Sequence, residues 1–198
     1  MIINARAAAA IPDDADMLLV GEMGIGNTTA AAAVSMACFG GNAGEWVGRG
    51  TGVDDQGLTI KSDVVSRGIT TNQAMLSSGF GVLSAFAGRE MAAIAGAVLA
   101  ARHRRIPVLL DGYISTASAL PLMKDNADAL SHCLISHQSQ EPGHQKIIQE
   151  TGMMPLLNLG MRLGEGSGAA TALPIVKSAL AAHNGMATFA EAGVSGAS

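Results

Sequence analysis

The sequence predicts an α/β fold: a Rossmann-like, three-layer parallel sheet with flanking helices and glycine-rich loops at the C-terminal ends of its strands. Three observations predict it. A short apolar run, a polar or glycine turn and a helical segment follow one another three or four times along the chain. The coils between the runs are rich in glycine, of which the chain has 25. Apolar residues make up 48% and aromatics only 3%, so Ala, Leu, Ile, Val and Met must fill the core, and layers built from them approach closely. Sheets of this kind bind ligands beyond the C-terminal ends of their strands.

Each element has its own signal. Met17 to Val20 is an apolar run that ends in Gly-Glu-Met-Gly-Ile-Gly-Asn-Thr-Thr, and the alanine run after Thr28 reads as a helix. A second glycine loop, Val47 to Leu58, precedes a helix expected from about Thr59 to Arg67. Small and apolar residues then recur at helical spacing up to Arg105, with Gly79 and Gly88 as breaks. Val108, Leu109 and Leu110 form the clearest strand, ended by Asp111-Gly112. The stretch from Ala119 to Leu130 reads as a helix, and Ser131 to Ile148 passes from strand through loop into helix. A last glycine loop around Glu165 leads into a C-terminal helical segment, about 170–198, whose end from Met186 reads as a loosely held tail. No linker or repeat divides the chain, so 1–198 reads as a single nucleotide-binding α/β domain.

Charge and cysteines narrow the function. A net charge of -4 leaves no basic footprint for nucleic acid. The one basic cluster, Arg102 to Arg105, suits a helix C-terminus. Cys38 and Cys133 lie far apart without a C-x-x-C pattern, which fits reduced thiols in a cytoplasmic protein. The uncharged stretch from Met23 to Gly44 is broken by Gly, Asn and Thr and makes a poor membrane span, so a soluble protein is expected.

Four loops carry chemistry, and each admits a purely structural reading too. A strand, a glycine loop and a helix N-terminus can aim backbone N–H groups at an anion. Yet GEMGIGNTT matches neither G-x-x-x-x-G-K-[ST] nor G-x-G-x-x-G, and a turn capped by Asn27 or Thr28 fits equally. The GRGTGVDD loop offers Arg49 and Thr51 to a phosphate, with Lys61 on the helix that follows, or it is a solvated loop. His137, Glu141 and His144 fit no standard zinc spacing; they line a pocket or form an ordinary loop. Glu165, between two glycines, is either a surface turn or a carboxylate that a ligand can approach closely. If its neighbours exclude water, its pKa rises towards the range of a general base. Enzymes that use phosphoribosyl pyrophosphate end an apolar strand with two adjacent acids that hold the ribose hydroxyls. Here Gly112 follows Asp111, so Asp111 either still accepts hydrogen bonds from ribose or is a turn residue, and the site is poor for diphosphate and magnesium.

Taken together and in order, GEMGIGNTT, GRGTGVDD with Lys61, LLDGYISTASAL, SHQSQEPGH and LGMRLGEGSGAA closely resemble the nicotinate-nucleotide–dimethylbenzimidazole phosphoribosyltransferase family. The resemblance runs from about Asp16 to Ser195. It implies transfer of phosphoribose from nicotinate mononucleotide to a benzimidazole-type base, giving nicotinate and the α-riboside 5'-phosphate of a cobamide nucleotide loop. It implies Glu165 as general base and neither metal nor cofactor, since the pyridinium leaves neutral at nitrogen. For substrate it nominates Glu22, Gly24, Gly26 and Asn27 on the first loop, then Gly50, Thr51, Gly52 and Lys61. Asp111, Gly112, Ser139, Arg162 and Gly164 complete the set. Glu22 is expected to orient the ligand, because a carboxylate would repel phosphate.

Two departures qualify the resemblance. Members of the family are longer, with a further N-terminal region that walls the aromatic base, so the expected partners are a second copy in a homodimer or a separate chain supplying that region. A non-catalytic or partner-dependent nucleotide-binding subunit, or a truncated fragment, is the alternative these residues leave open. Ala87-Gly88 stands where the family usually shows two glycines.

Overall fold

The protein is described here by a computed structural model covering residues 2–50 and 52–195. Four short strands form one parallel sheet in the order β1-β2-β3-β4: β1 (Leu18–Val20), β2 (Val108–Leu110), β3 (Cys133–His137) and β4 (Pro155–Leu157). The register sets Leu18 beside Val108 and Val108 beside Cys133, while Ile135 lies beside Pro155. All three residues of β2 are buried, so the strand is apolar on both faces, as a central parallel strand must be.

Parallel neighbours need crossovers, and helices supply them. The first crossover is long: α2 (Asn27–Phe39), α3 (Ala43–Trp46), α4 (Asp55–Thr71), α5 (Gly79–Phe86) and α6 (Gly88–His103). Then α7 (Tyr113–Asp125) joins β2 to β3, α8 (Pro142–Thr151) joins β3 to β4, and α9 (Ser167–Gly185) follows β4. The first helix, α1 (Ile2–Ala9), packs against α6. On one face of the sheet, Val98 and Ala101 of α6 and Ala119 of α7 pack with Val108 and Leu110. On the other, α9 lies against β1, β3 and β4. A second cluster joins α2, α3, α4, α5, α7 and α8 around the fully buried Trp46. This is the predicted three-layer arrangement.

Several boundaries differ from the sequence expectation, for local reasons. Helix α4 starts at Asp55 because the Asp54 side chain caps it, accepting from Gly57 N at 2.8 Å. Helix α7 starts at Tyr113, directly after the strand, although Ile114 and Thr116 are poor helix formers. Burial of Tyr113 through Pro121 overrides that propensity, and the Thr116 and Ser118 hydroxyls donate back to Gly112 O and Ile114 O. Helix α9 ends at Gly185, so the C-terminal helical segment is shorter than 170–198, and the described residues after it are exposed turns and coil. The extra methyl of Ala87 is buried in the core, in ordinary helical conformation. Arg102 and His103 occupy the last turn of α6, as expected of the basic cluster, while Arg104 ties α6 to the N-terminal segment by donating to Ile11 O at 2.8 Å.

Candidate active site

All four strands end on one side, and a cleft of about 400 Å³ opens there. The loop after β1 contributes Glu22, Gly24, Gly26 and Asn27; the second glycine loop contributes Arg49 and Gly50, with Lys61 rising from α4. Gly112 follows β2, Ser139 and Glu141 follow β3, and Arg162, Gly164 and Glu165 follow β4. Twelve residues of the sequence nomination therefore converge: Glu165 with Glu22, Gly24, Gly26, Asn27, Gly50, Lys61, Gly112, Ser139, Arg162 and Gly164 line the cleft, and Asp111 lies beneath it.

Charged groups of both signs line the cleft. Glu22 accepts a short hydrogen bond from Asn27 Nδ2, which also reaches Glu90 Oε2 at 3.3 Å. Glu90 accepts from Met23 N at 2.7 Å, so Asn27 and the backbone gather two carboxylates. Burial above all pushes the Glu22 carboxyl above its ordinary range; the Asn27 bond opposes this, and Glu90, Asp111 and Glu165 add to the rise. One residue further along α2, Thr28 Oγ1 accepts from Lys61 Nζ at 3.0 Å, and Lys61 also donates to Gly48 O at 3.2 Å. Both acceptors are neutral, so its charge stays available to an anion. Burial lowers the Lys61 pKa, and the Glu141 carboxylate partly restores it. The N-terminus of α2 opens nearby, with Gly26 in left-handed conformation at its N-cap and no side chain capping it. Arg162 donates to Gly50 O at 2.7 Å and Glu141 Oε1 at 2.9 Å, bracing the two loops.

Ser139 is held from behind. Its N–H donates to His144 Nδ1 at 2.9 Å, which leaves the His144 proton on Nε2, 3.3 Å from Thr116 Oγ1. The Thr116 hydroxyl in turn donates to Gly112 O. Burial, with His137 as a lesser cause, pushes His144 down to about 3, in keeping with this neutral tautomer.

Glu165 sits on a loop of unusual backbone. Gly164, Glu165 and Gly166 all have positive φ, at 82°, 59° and 78°. Two glycines tolerate this readily; Glu165 does so at a cost that its surroundings must hold in place. Its N–H donates to Glu22 O at 3.0 Å. Its side chain is exposed at the cleft mouth, so within this chain the expected exclusion of water is not met.

Three nominations need correction or fall outside. Asp111 does not offer its carboxylate to ribose: it is fully buried, and Oδ1 and Oδ2 accept from Ala169 N at 2.9 Å and Gly166 N at 3.0 Å. Each oxygen is thus bonded to a backbone N–H at the start of α9, and Oδ1 also lies 3.7 Å from His137 Nε2. Gly52 does not line the cleft; its N–H donates to Arg49 O at 3.0 Å, closing the turn. Thr51 lies outside the described residues. Conversely, the sequence reading did not single out Glu90, which sits in the first turn of α6 far along the chain. An acid there reads as ordinary helix-dipole stabilisation. Nor did it anticipate the apolar rim of Met23, Ile25 and Leu163, all exposed beside Glu165. Among the described residues, no group of three or more His, Cys, Asp or Glu is arranged to hold a metal ion. No described helix is long and apolar enough to cross a membrane.

A parallel sheet with a cleft across its strand ends is the architecture of α/β ligand-binding proteins, and the sequence model of a phosphoribosyltransferase family matches residues 3–194. The relatives make the family specific. A nicotinate-nucleotide–dimethylbenzimidazole phosphoribosyltransferase of Ruegeria pomeroyi is 57% identical over 94% of this chain, and one of Mesorhizobium japonicum is 55% identical over 94%. The crystal structure of CobT from Thermus thermophilus superposes with a TM-score of 0.90 at 40% identity, over 98% of this chain and 58% of that one. The chain belongs to the nicotinate-nucleotide–dimethylbenzimidazole phosphoribosyltransferase family. It spans 55% of the length of each of the two bacterial relatives.

Proposed function

We propose that this chain carries the nucleotide-binding and base-activating half of a phosphoribosyl transfer, from nicotinate mononucleotide to dimethylbenzimidazole or a related base. The observation that carries the reading is one cleft lined by Lys61, whose hydrogen-bond acceptors are neutral, by the uncapped N-terminus of α2, and by Glu22 and Glu165. Phosphate belongs beside Lys61 and the α2 N-terminus, and the reacting bases belong beside Glu165. One nitrogen of the incoming base attacks C1' of the ribose. The C1'–N bond to the pyridinium breaks, and its electron pair neutralises the departing nicotinate. Glu165 takes the N–H proton of the attacking base, and the configuration at C1' inverts. General-base help of this kind contributes roughly 10²–10⁴-fold in rate, and in-line positioning of the two reactants contributes further.

Met23, 76% exposed, Ile25 and Leu163 offer an apolar rim to an aromatic base. Such a rim supports burial by a second protein surface, and a homodimer is the assembly we assign to it. A separate chain that supplies the outer wall is the second reading, favoured by the exposure of Glu165 itself. The two free thiols, Cys38 and Cys133, support a reducing, cytoplasmic setting.

Calorimetric titration with nicotinate mononucleotide, repeated with nicotinate riboside, tests the assignment. Tighter binding of the phosphorylated ligand is expected; equal binding of the two would remove the phosphate from Lys61.

A further inference from the structure

We infer that Asp111 is a positioning residue for Glu165, fixing from beneath the loop on which the general base stands. This rests on the transferase reading, because it concerns the base of that reaction. Asp111 directly follows the central strand β2, and its own N–H donates to Val20 O at 3.0 Å, so its backbone continues the sheet ladder. Its side chain therefore projects from the end of the central sheet ladder, is fully buried and does not line the cleft.

The two bonds it accepts come from either side of the first turn of α9. Gly166 is the N-cap of that helix and has no side chain with which to cap it. Asp111 Oδ1 takes the Ala169 N–H, the bond an N-cap side chain would ordinarily make, and Oδ2 takes the N–H of Gly166 itself. An acid on one strand thus caps a helix that begins after another. Glu165, in left-handed conformation, lies directly before these anchor points. Two further contacts leave the loop little freedom. A Cβ on Gly21 would lie 2.6 Å from Gly166 Cα, and a Cβ on Gly168 would collide with the His137 ring. The left-handed Glu165 persists because the loop is held at Gly166 and Ala169 by Asp111 and at its own N–H by Glu22 O. A displacement of about 1 Å from the productive geometry costs about 10²-fold in rate. A cap of ordinary value to stability therefore has a larger consequence here for turnover.

The test is a double-mutant cycle of Asp111→Asn and Glu165→Gln. The asparagine keeps the size of the side chain but turns an NH2 group towards one of the two N–H donors. Asp111→Asn alone should lower kcat by on the order of 10–100-fold while leaving nicotinate mononucleotide affinity within about 3-fold. In the Glu165→Gln background it should cause no further loss, because its effect passes through the missing carboxylate. A loss that persists in full in that background, or an equal fall in affinity, would overturn the inference. Amide hydrogen exchange decides the tether whether or not this chain turns over. Exchange at Gly166 and Ala169 should quicken in Asp111→Asn, with the Glu165 carboxyl carbon resonance shifted and the β2 amides unchanged. Unaltered exchange and an unmoved resonance would overturn the positioning role. A wild-type chain without turnover would count against the transferase reading alone.

Discussion

The backbone N–H of Glu165 donates to the carbonyl of Glu22 at 3.0 Å, joining the loop that follows one edge strand of the sheet to the loop that follows the other. Glu22 and Glu165 are thereby brought together in the cleft, although they lie far apart in the sequence. Their roles differ by surroundings. Burial raises the pKa of Glu22, while Glu165 stands at the open mouth. Replacing Glu165 with Gln should leave nicotinate mononucleotide binding intact and lower turnover by about 10²–10⁴-fold, the usual span of general-base help. Single-turnover rates beside calorimetric affinities separate the two effects.

Gly21 is required by the close passage of these loops. A methyl there would meet Gly166 Cα at 2.6 Å and the Glu165 carbonyl carbon at 2.8 Å, and backbone atoms cannot swing aside as a side chain would. Gly21→Ala should cost about 1–3 kcal/mol in urea denaturation, as overpacking does. Its effect on kcat should be larger, about 10²-fold, because it displaces the base. A variant that loses stability with unchanged kcat would contradict the contact.

Lys61 is predicted to read phosphate. Its ammonium is fixed by Thr28 Oγ1 and Gly48 O, neither of which neutralises it. A hydrogen bond involving a charged group contributes about 1.5–3 kcal/mol, so Lys61→Met should weaken nicotinate mononucleotide by roughly 10–100-fold. Nicotinate riboside, which lacks the phosphate, should be little affected. Equal losses for both ligands would show that Lys61 only shapes the loop.

Acid should destabilise the fold through His144. The folded protein holds this imidazole neutral down to about 3, whereas an unfolded chain protonates it below about 6.5. The unfolded state therefore binds more protons between those values. The associated stability is complete above about pH 6.5 and is lost as pH falls towards 3, by up to roughly 1.4 kcal/mol per pH unit. Urea midpoints measured between neutral and acid pH check this, and His144→Gln should flatten the slope. The same substitution should loosen Ser139, whose N–H loses its acceptor.

Much of this was legible in the sequence, and the remainder was not for identifiable reasons. An apolar run that stops at glycine marks the end of a parallel strand, and the local pattern shows this after Val20 and Leu110. Glu22, Gly112 and Gly164, however, were nominated through the ordered set of motifs rather than by any one loop. Asp111 shows the limit. A carboxylate after a strand can face the ligand or the helix beneath, and only the third dimension reveals that Gly166 and Ala169 claim both of its oxygens. Glu90 was invisible for a related reason: its link to Asn27 is made by tertiary packing, while its local setting explains an acid without it. The start of α7 was missed because burial, not propensity, makes Tyr113 through Ser118 helical.

The central claim is tested most directly by incubating the purified chain with nicotinate mononucleotide and dimethylbenzimidazole and following the riboside phosphate by NMR, beside the Glu165→Gln variant. The α-riboside 5'-phosphate, formed with release of nicotinate and lost in the variant, is the predicted result. A β-linked product, or an equal rate in Glu165→Gln, would contradict the account.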